Sequence, residues 1–118
     1  MAKQTRVRAV VHINFDNPQR QDHGLQNVEK ILNECDEAAE IEVIAHGPGV
    51  SLLVRQQNGH SEKIRKLADR GVRFTACENT LKERDIEEDT LLPGVTMPPS
   101  GAVELLRRQQ EGFAYDRP

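Results

Sequence analysis

The chain has 118 residues, 36% of them apolar and 30% charged, with a net charge of -3. Those values suit one domain over residues 1–118, able to bury roughly two thirds of its unfolded surface. They argue against nucleic acid as a partner, which needs a concentrated basic face, and with no run of about 18 apolar residues no membrane span is expected.

Arg6 to Ile13 is β-branched-rich, with Val7, Ala9, Val11 and Ile13 on one alternating set and Val10 on the other, which predicts a strand covered on both faces. Asn14 to Gln21, containing Pro18, reads as a loop, with Asp22 capping a helix whose stripe is Leu25, Val28, Leu32 and Cys35. Ile41 to Ala45 predicts a second strand, His46-Gly47-Pro48-Gly49 a sharp turn, and Val50 to Gln57 a short helix ended by Asn58-Gly59. Ser61 is the expected cap of a third helix with Ile64, Leu67 and Ala68 inside, stopped by Gly71. Val72 to Ala76 is the third strand, followed by Cys77 and a short helix capped by Asn79 or Thr80 and running through Arg84. Asp85 to Pro99 reads as irregular, with a short fourth strand at Val95 to Met97. Ser100 is expected to cap a helix with Val103 and Leu106 on its inner face, Gly112 to end it, and Phe113 to Tyr115 to form a last strand.

Strands alternating with helices predict a mostly parallel sheet covered on both sides. Sites in such sheets form beyond the carboxyl ends of the strands, which gathers Asn14-Phe15, His46 to Gly49, Cys77 to Asn79 and Pro98 to Gly101 onto one edge. The start, Met1 to Arg6, has no separate apolar segment or small-residue cleavage site, so the cytoplasm is expected, with Cys35 and Cys77 as free thiols. The four histidines (His12, His23, His46, His60) show no metal-ligand spacing, and no metal is expected.

Cys77 carries the most function-like group. A thiol at a helix N-terminus meets free amides and the positive end of the dipole, both favouring thiolate, while the adjacent Glu78 opposes it. Cys35, on an apolar helix stripe, reads as a packing residue. His46 could serve as base or hydrogen-bond partner to a thiol at the same edge. The amides of His46-Gly47-Pro48-Gly49 could cradle an anion, although the segment lacks the lysine and serine or threonine of a nucleotide-triphosphate loop. The acidic run Asp85 to Asp89 reads as a solvated loop.

VVHINF, Gln26-Asn27-Val28, IEVIAHGPGV, GVRFTACENTL and the closing Gly112-Phe113-Ala114-Tyr115 with Pro118 give the chain a resemblance to the small stand-alone DsrE/DsrF-like proteins of archaea and bacteria. The resemblance implies a three-layer α/β/α fold with a mainly parallel five-stranded sheet, assembled into homotrimers or homohexamers. Better-known relatives are sulfur carriers in relays, in which a cysteine takes sulfur as a persulfide and passes it to a partner; Cys77 matches the cysteine of the stand-alone members.

Two readings follow. In the first, the protein is a sulfur carrier or sulfurtransferase-like protein with Cys77 as nucleophile, amides near Asn79 and Thr80 stabilising its charge, and His46 or Asn14 assisting. It would need no metal or organic cofactor and would meet a sulfur donor or acceptor protein. In the second it is a non-enzymatic oligomeric module binding a small ligand at the strand edge, with Cys77 merely lining the pocket. Leu91-Leu92-Pro93-Gly94-Val95, apolar in a long irregular stretch, suggests that the segment Asp85 to Pro99 lies near a subunit contact.

Overall fold

A computed structural model describes residues 7–35, 39–55 and 59–118. Four strands, β1 (Val7–Ile13), β2 (Ala39–Ala45), β3 (Arg73–Ala76) and β4 (Ala114–Asp116), form one sheet in the order β3-β2-β1-β4, every neighbouring pair parallel. Val7 pairs with Ala39 and Ile13 with Ala45, so β1 and β2 end level, and Ala45 pairs with Ala76. That register sets His46 and Cys77 side by side at one edge.

Side chains alternate between two unequal faces. Val11, Ile13, Val43, Ala45, Phe74 and Ala76 point into the main core, closed by Leu25, Val28 and Leu32 of α1 (Pro18–Glu34) and by Ile64 and Leu67 of α2 (Ser61–Asp69). A 3-10 helix, Gly47–Leu53, and the short α3 (Glu78–Glu83) complete that layer through Val50, Leu52, Leu53 and Leu81. The opposite face carries Val10, Ile44 and Phe113, with Leu105 of α4 (Gly101–Gln110) packed on them. His12, Glu42 and Thr75 are the buried polar residues there.

Several boundaries differ from the sequence expectation for physical reasons. α1 begins at Pro18, not after Asp22. Asn17 caps it by accepting from the Arg20 amide at 2.9 Å, and a proline at the first helical position has no amide to leave unpaired. Asp22 instead binds Lys63 at 2.6 Å, tying α1 to α2. His60, not Ser61, is the cap position of α2, and Cys77, not Asn79 or Thr80, that of α3. The helix expected over Val50 to Gln57 is the 3-10 helix that starts at Gly47 and ends at Leu53; Gln57 and Asn58 lie outside the described residues.

The sheet has four strands, not five. The stretch Val95 to Met97 contributes a single parallel bridge, Thr75 to Thr96. Thr96 donates to the Phe74 carbonyl at 3.0 Å and accepts from the Ala76 amide at 2.8 Å, and the pairing stops there because Pro98 and Pro99 have no N–H to continue a ladder. The last strand starts at Ala114 instead of Phe113. Val103 and Leu106 face outward, 50% and 62% exposed; the inner side of α4 is Gly101, Leu105 and Arg108, one helical turn apart. Leu91 and Leu92 are buried in the main core, with the Leu92 amide on the Leu53 carbonyl, so that loop folds back onto its own domain. Among the described residues, no helix is long and apolar enough to cross a membrane.

Candidate functional site

Backbone hydrogen bonds stitch the strand ends into one surface. The His46 amide donates to the Ile13 carbonyl at 3.0 Å and the Cys77 amide to the Ala45 carbonyl at 3.1 Å. Pro98 and Pro99 cross in front: their carbonyls accept from the Glu78 and Asn79 amides at 2.9 and 3.1 Å, occupying the first free N–H groups of α3. The chain then turns into α4, where the Ser100 hydroxyl accepts from the Val103 amide at 3.3 Å. That turn aims the Gly101 N–H at Cys77 Sγ, 3.1 Å away.

Cys77 is buried, 2% exposed. Burial is the largest influence on its thiol and pushes the pKa up. The Thr80 hydroxyl and the amides of Gly101, Thr80 and Asn79 hydrogen-bond the sulfur and outweigh burial, so the net direction is down from the ordinary value, and Glu78 beside it does not reverse that direction. Thr80, itself buried, also accepts from the Gly47 amide at 3.2 Å, so one hydroxyl joins the His46 turn to the sulfur. Gly101 is a glycine for reasons of space. A Cβ there would come within 3.2 Å of Cys77 Cβ and 3.3 and 3.4 Å of His46 Cδ2 and Cγ.

The sequence-derived residues therefore divide. His46, Gly47, Thr80 and Cys77 converge with Gly101, and Asn79 contributes its amide. The His46-Gly47-Pro48-Gly49 turn is not an anion cradle: the Gly47 amide is taken by Thr80 and the Gly49 amide by the His46 carbonyl at 3.0 Å. Gly49 serves packing, since a Cβ would overlap the Ile13 carbonyl, and Asn14 lies against Gly49 through its backbone. Cys35 sits at the C-cap of α1, half-buried and away from this edge.

Sequence reasoning missed Gly101, His12 and Tyr115. The strand-end rule brings Pro98 to Gly101 to this edge, but an amide donor leaves no side-chain signature. His12 and Tyr115 are 103 positions apart and meet only because β4 returns beside β1, bringing the Tyr115 hydroxyl to 3.0 Å from His12 Nδ1. The His12 ring stacks on His46 with centroids 5.6 Å apart and planes inclined by 24°. A second titratable cluster lies under α4. Glu42 accepts from Arg108 Nε at 2.6 Å and from the Thr75 hydroxyl at 2.7 Å, with Glu104 on the same Arg108 nitrogen at 3.3 Å. Burial, with the Glu104 carboxyl adding to it, raises the Glu42 pKa against the lowering by Thr75 and Arg108. Among the described residues no group of three His, Cys, Asp or Glu side chains could hold a metal ion.

The DsrE/DsrF-like family model matches residues 8–115. The chain belongs to the DsrE/DsrF-like family. Among solved structures it is similar to the protein of unknown function MTH1491 from Methanobacterium thermoautotrophicum, with 39% identity and a TM-score of 0.89 over 95% of this chain and 99% of that one. The ychN protein from E. coli aligns at 13% identity, TM-score 0.79, over 96% and 99% of the two chains. The protein of unknown function BT1422 from Bacteroides thetaiotaomicron aligns at 15%, TM-score 0.75, over 94% of each. At those identities the last two speak for the fold alone. No curated protein sequence matches the chain. A DsrE/DsrF-like domain is a sulfur-relay-related α/β domain, and the parallel sheet with flanking helices agrees with it.

Proposed function

We propose that the protein is a sulfur carrier in which Cys77 takes up and hands on sulfane sulfur. The observation that carries this reading is the Gly101 amide 3.1 Å from a sulfur whose pKa is lowered despite burial. A thiolate is the attacking species in sulfur exchange. Cys77 as thiolate attacks the outer sulfur of a donor persulfide R–S–SH; a new S–S bond forms at Cys77, the donor S–S bond breaks, and R–S⁻ leaves with the electron pair. An acceptor thiolate reverses the exchange, with Cys77 thiolate as leaving group. Nothing is oxidised or reduced overall. The His46 turn is coupled to this centre through Thr80, and the roles of His46, Thr80 and Asn79 here are binding and charge stabilisation.

The test is intact mass after incubation with a sulfane-sulfur donor. A gain of one sulfur atom, removed by reductant and absent from Cys77→Ser, is expected. Unchanged mass in the native protein, or sulfur retained by the variant, would sink the reading. We also propose a closed homo-oligomer, a trimer or a dimer of trimers. Val103 and Leu106 on α4, together with Tyr115, are the large exposed apolar or aromatic side chains among the described residues, and a subunit contact on that side would cover them.

A further inference from the structure

One ring beyond His46 from the thiol lies a buried imidazole that the carrier chemistry above does not use. His12 occupies the sheet face shared with Val10 and Ile44, where an unsatisfied ring would be costly. It is satisfied by the Tyr115 hydroxyl at 3.0 Å and by stacking on His46 at 5.6 Å. The His46 ring in turn stands against Gly101, in the space that a Cβ at Gly101 would share with Cys77. Tyr115, His12, His46 and Cys77 thus form one file from the protein surface to the sulfur. Resting on the reading of Cys77 as the reacting thiol, we propose that His12 and Tyr115 are positioning residues that hold His46 beside Cys77 and leave His46 the ring of the pair that accepts the thiol proton.

Two imidazolium rings at that separation would repel by at least about half a pKa unit even at a water-like dielectric, so the pair carries one proton more readily than two. At His12 burial lowers the pKa most, then the His46 charge, then Arg117. Other groups face the two rings from every neighbouring element, and they do not all act in one direction. β4 and the tail contribute Tyr115 and Arg117. The start of α3 contributes Cys77, and α4 its positive N-terminal end through Gly101, with Glu104 one turn on engaged by Arg108. The 3-10 helix after His46 has no titratable side chain. The proton balance closes. The Cys77 S–H gives its proton to His46, the thiolate takes the outer sulfur of R–S–SH, and the departing R–S⁻ recovers the proton from the His46 imidazolium as R–SH.

The experiment is a pH titration followed by NMR, using the ring signals of the histidines and the Cβ shift of Cys77. It is run on the native protein and on Tyr115→Phe, His12→Gln, His46→Gln and the His12→Gln/His46→Gln pair. His12 should titrate below the ordinary histidine value. Tyr115→Phe and His12→Gln should each raise the Cys77 midpoint, and the double variant should raise it no further than His46→Gln alone, because His12 acts through His46. The proposal is overturned if His12 titrates at or above the ordinary histidine value, if both single variants leave the Cys77 midpoint at the native value, or if the double variant is additive. Tyr115 is 43% exposed, so its variant keeps the test open should His12→Gln fail to fold. The thiol titration uses no sulfur donor. A protein that takes up no sulfur but titrates as expected refutes the carrier reading alone, and the reverse pattern refutes this proposal alone.

Discussion

Thr80→Val removes the hydroxyl that links the two halves of the site. Its oxygen accepts from the Gly47 amide at 3.2 Å and donates to Cys77 Sγ. Valine keeps the shape and loses both functions, and Thr80 is too buried for water to replace them. A hydrogen bond to a charged group contributes about 1.5–3 kcal/mol, which at 1.36 kcal/mol per unit is about one to two pKa units. The amides of Gly101, Thr80 and Asn79 survive, so the lower end applies: the Cys77 thiol should titrate about one unit higher in the variant. The native thiol pKa is depressed on folding. It therefore adds stability above the unfolded thiol value of about 8.5, and that contribution is lost as pH falls through the folded pKa. Near pH 6 the variant should be less stable only by the stranded Gly47 N–H, about 1–3 kcal/mol, and the deficit should widen by about 1.4 kcal/mol toward pH 9.5. Urea unfolding at the two pH values, with the Cys77 Cβ shift followed in parallel, measures both. A deficit that stays constant with pH, together with an unmoved thiol midpoint, would refute the account of how this cysteine is charged.

Cys77→Ser should abolish sulfur uptake while changing stability by less than about 2 kcal/mol, since serine can still accept from Gly101; calorimetry and intact mass decide it, and Cys35→Ser should keep full uptake. Leu106→Glu should reduce the mass seen by light scattering toward one chain, 13.3 kDa, whereas a native protein that is already monomeric at high micromolar concentration rules the oligomer out. Glu42→Gln removes a carboxyl whose folded pKa is raised, a group whose stabilising contribution is fully present below the unfolded value of about 4.3 and is lost as pH rises through the folded pKa. The variant should gain on the native protein as pH rises from about 4 to 7 in urea unfolding; a gap independent of pH would show that burial does not raise the Glu42 pKa.

The strands β1, β2 and β3 and the edge that holds Cys77 were legible because each strand is a short β-branched run ending in a turn signal, and parallel register then puts their ends level without further information. The start of α1 was not, because Pro18 reads as a loop marker unless Asn17 before it is recognised as the cap. The rotation of α4 about its axis is not legible in its apolar pattern. Val103 and Leu106 look like a core stripe, but the inward positions are held by Gly101, by Leu105 and by an arginine that reaches Glu42. Hydrophobic periodicity cannot find a helix face defined by a glycine and an ion pair. The same blindness hid the site's donors: Gly101 acts through its amide, and His12 through a strand partner at the far end of the chain.

That helix is also where reactivity and burial meet. The Gly101 amide that favours thiolate stands 3.1 Å from Sγ, and a second sulfur bonded to Sγ needs about 2 Å along its bond plus its own radius. Both cannot occupy the same direction, so a persulfide at Cys77 displaces the start of α4 or leaves on another side. Little apolar core holds the helix at that end. Its sheet contacts, Leu105 on Val10 and Ile44 and Arg108 on Glu42, lie in its second half, and Gly101 is the one buried residue of its first turn. Ser100 and the paired prolines before it fix where the segment enters but add no apolar anchor. Opening the first turn would cost the Gly101 contact and the Ser100 cap but little core, so under the carrier reading one short segment would both charge the sulfur when closed and admit a donor when displaced.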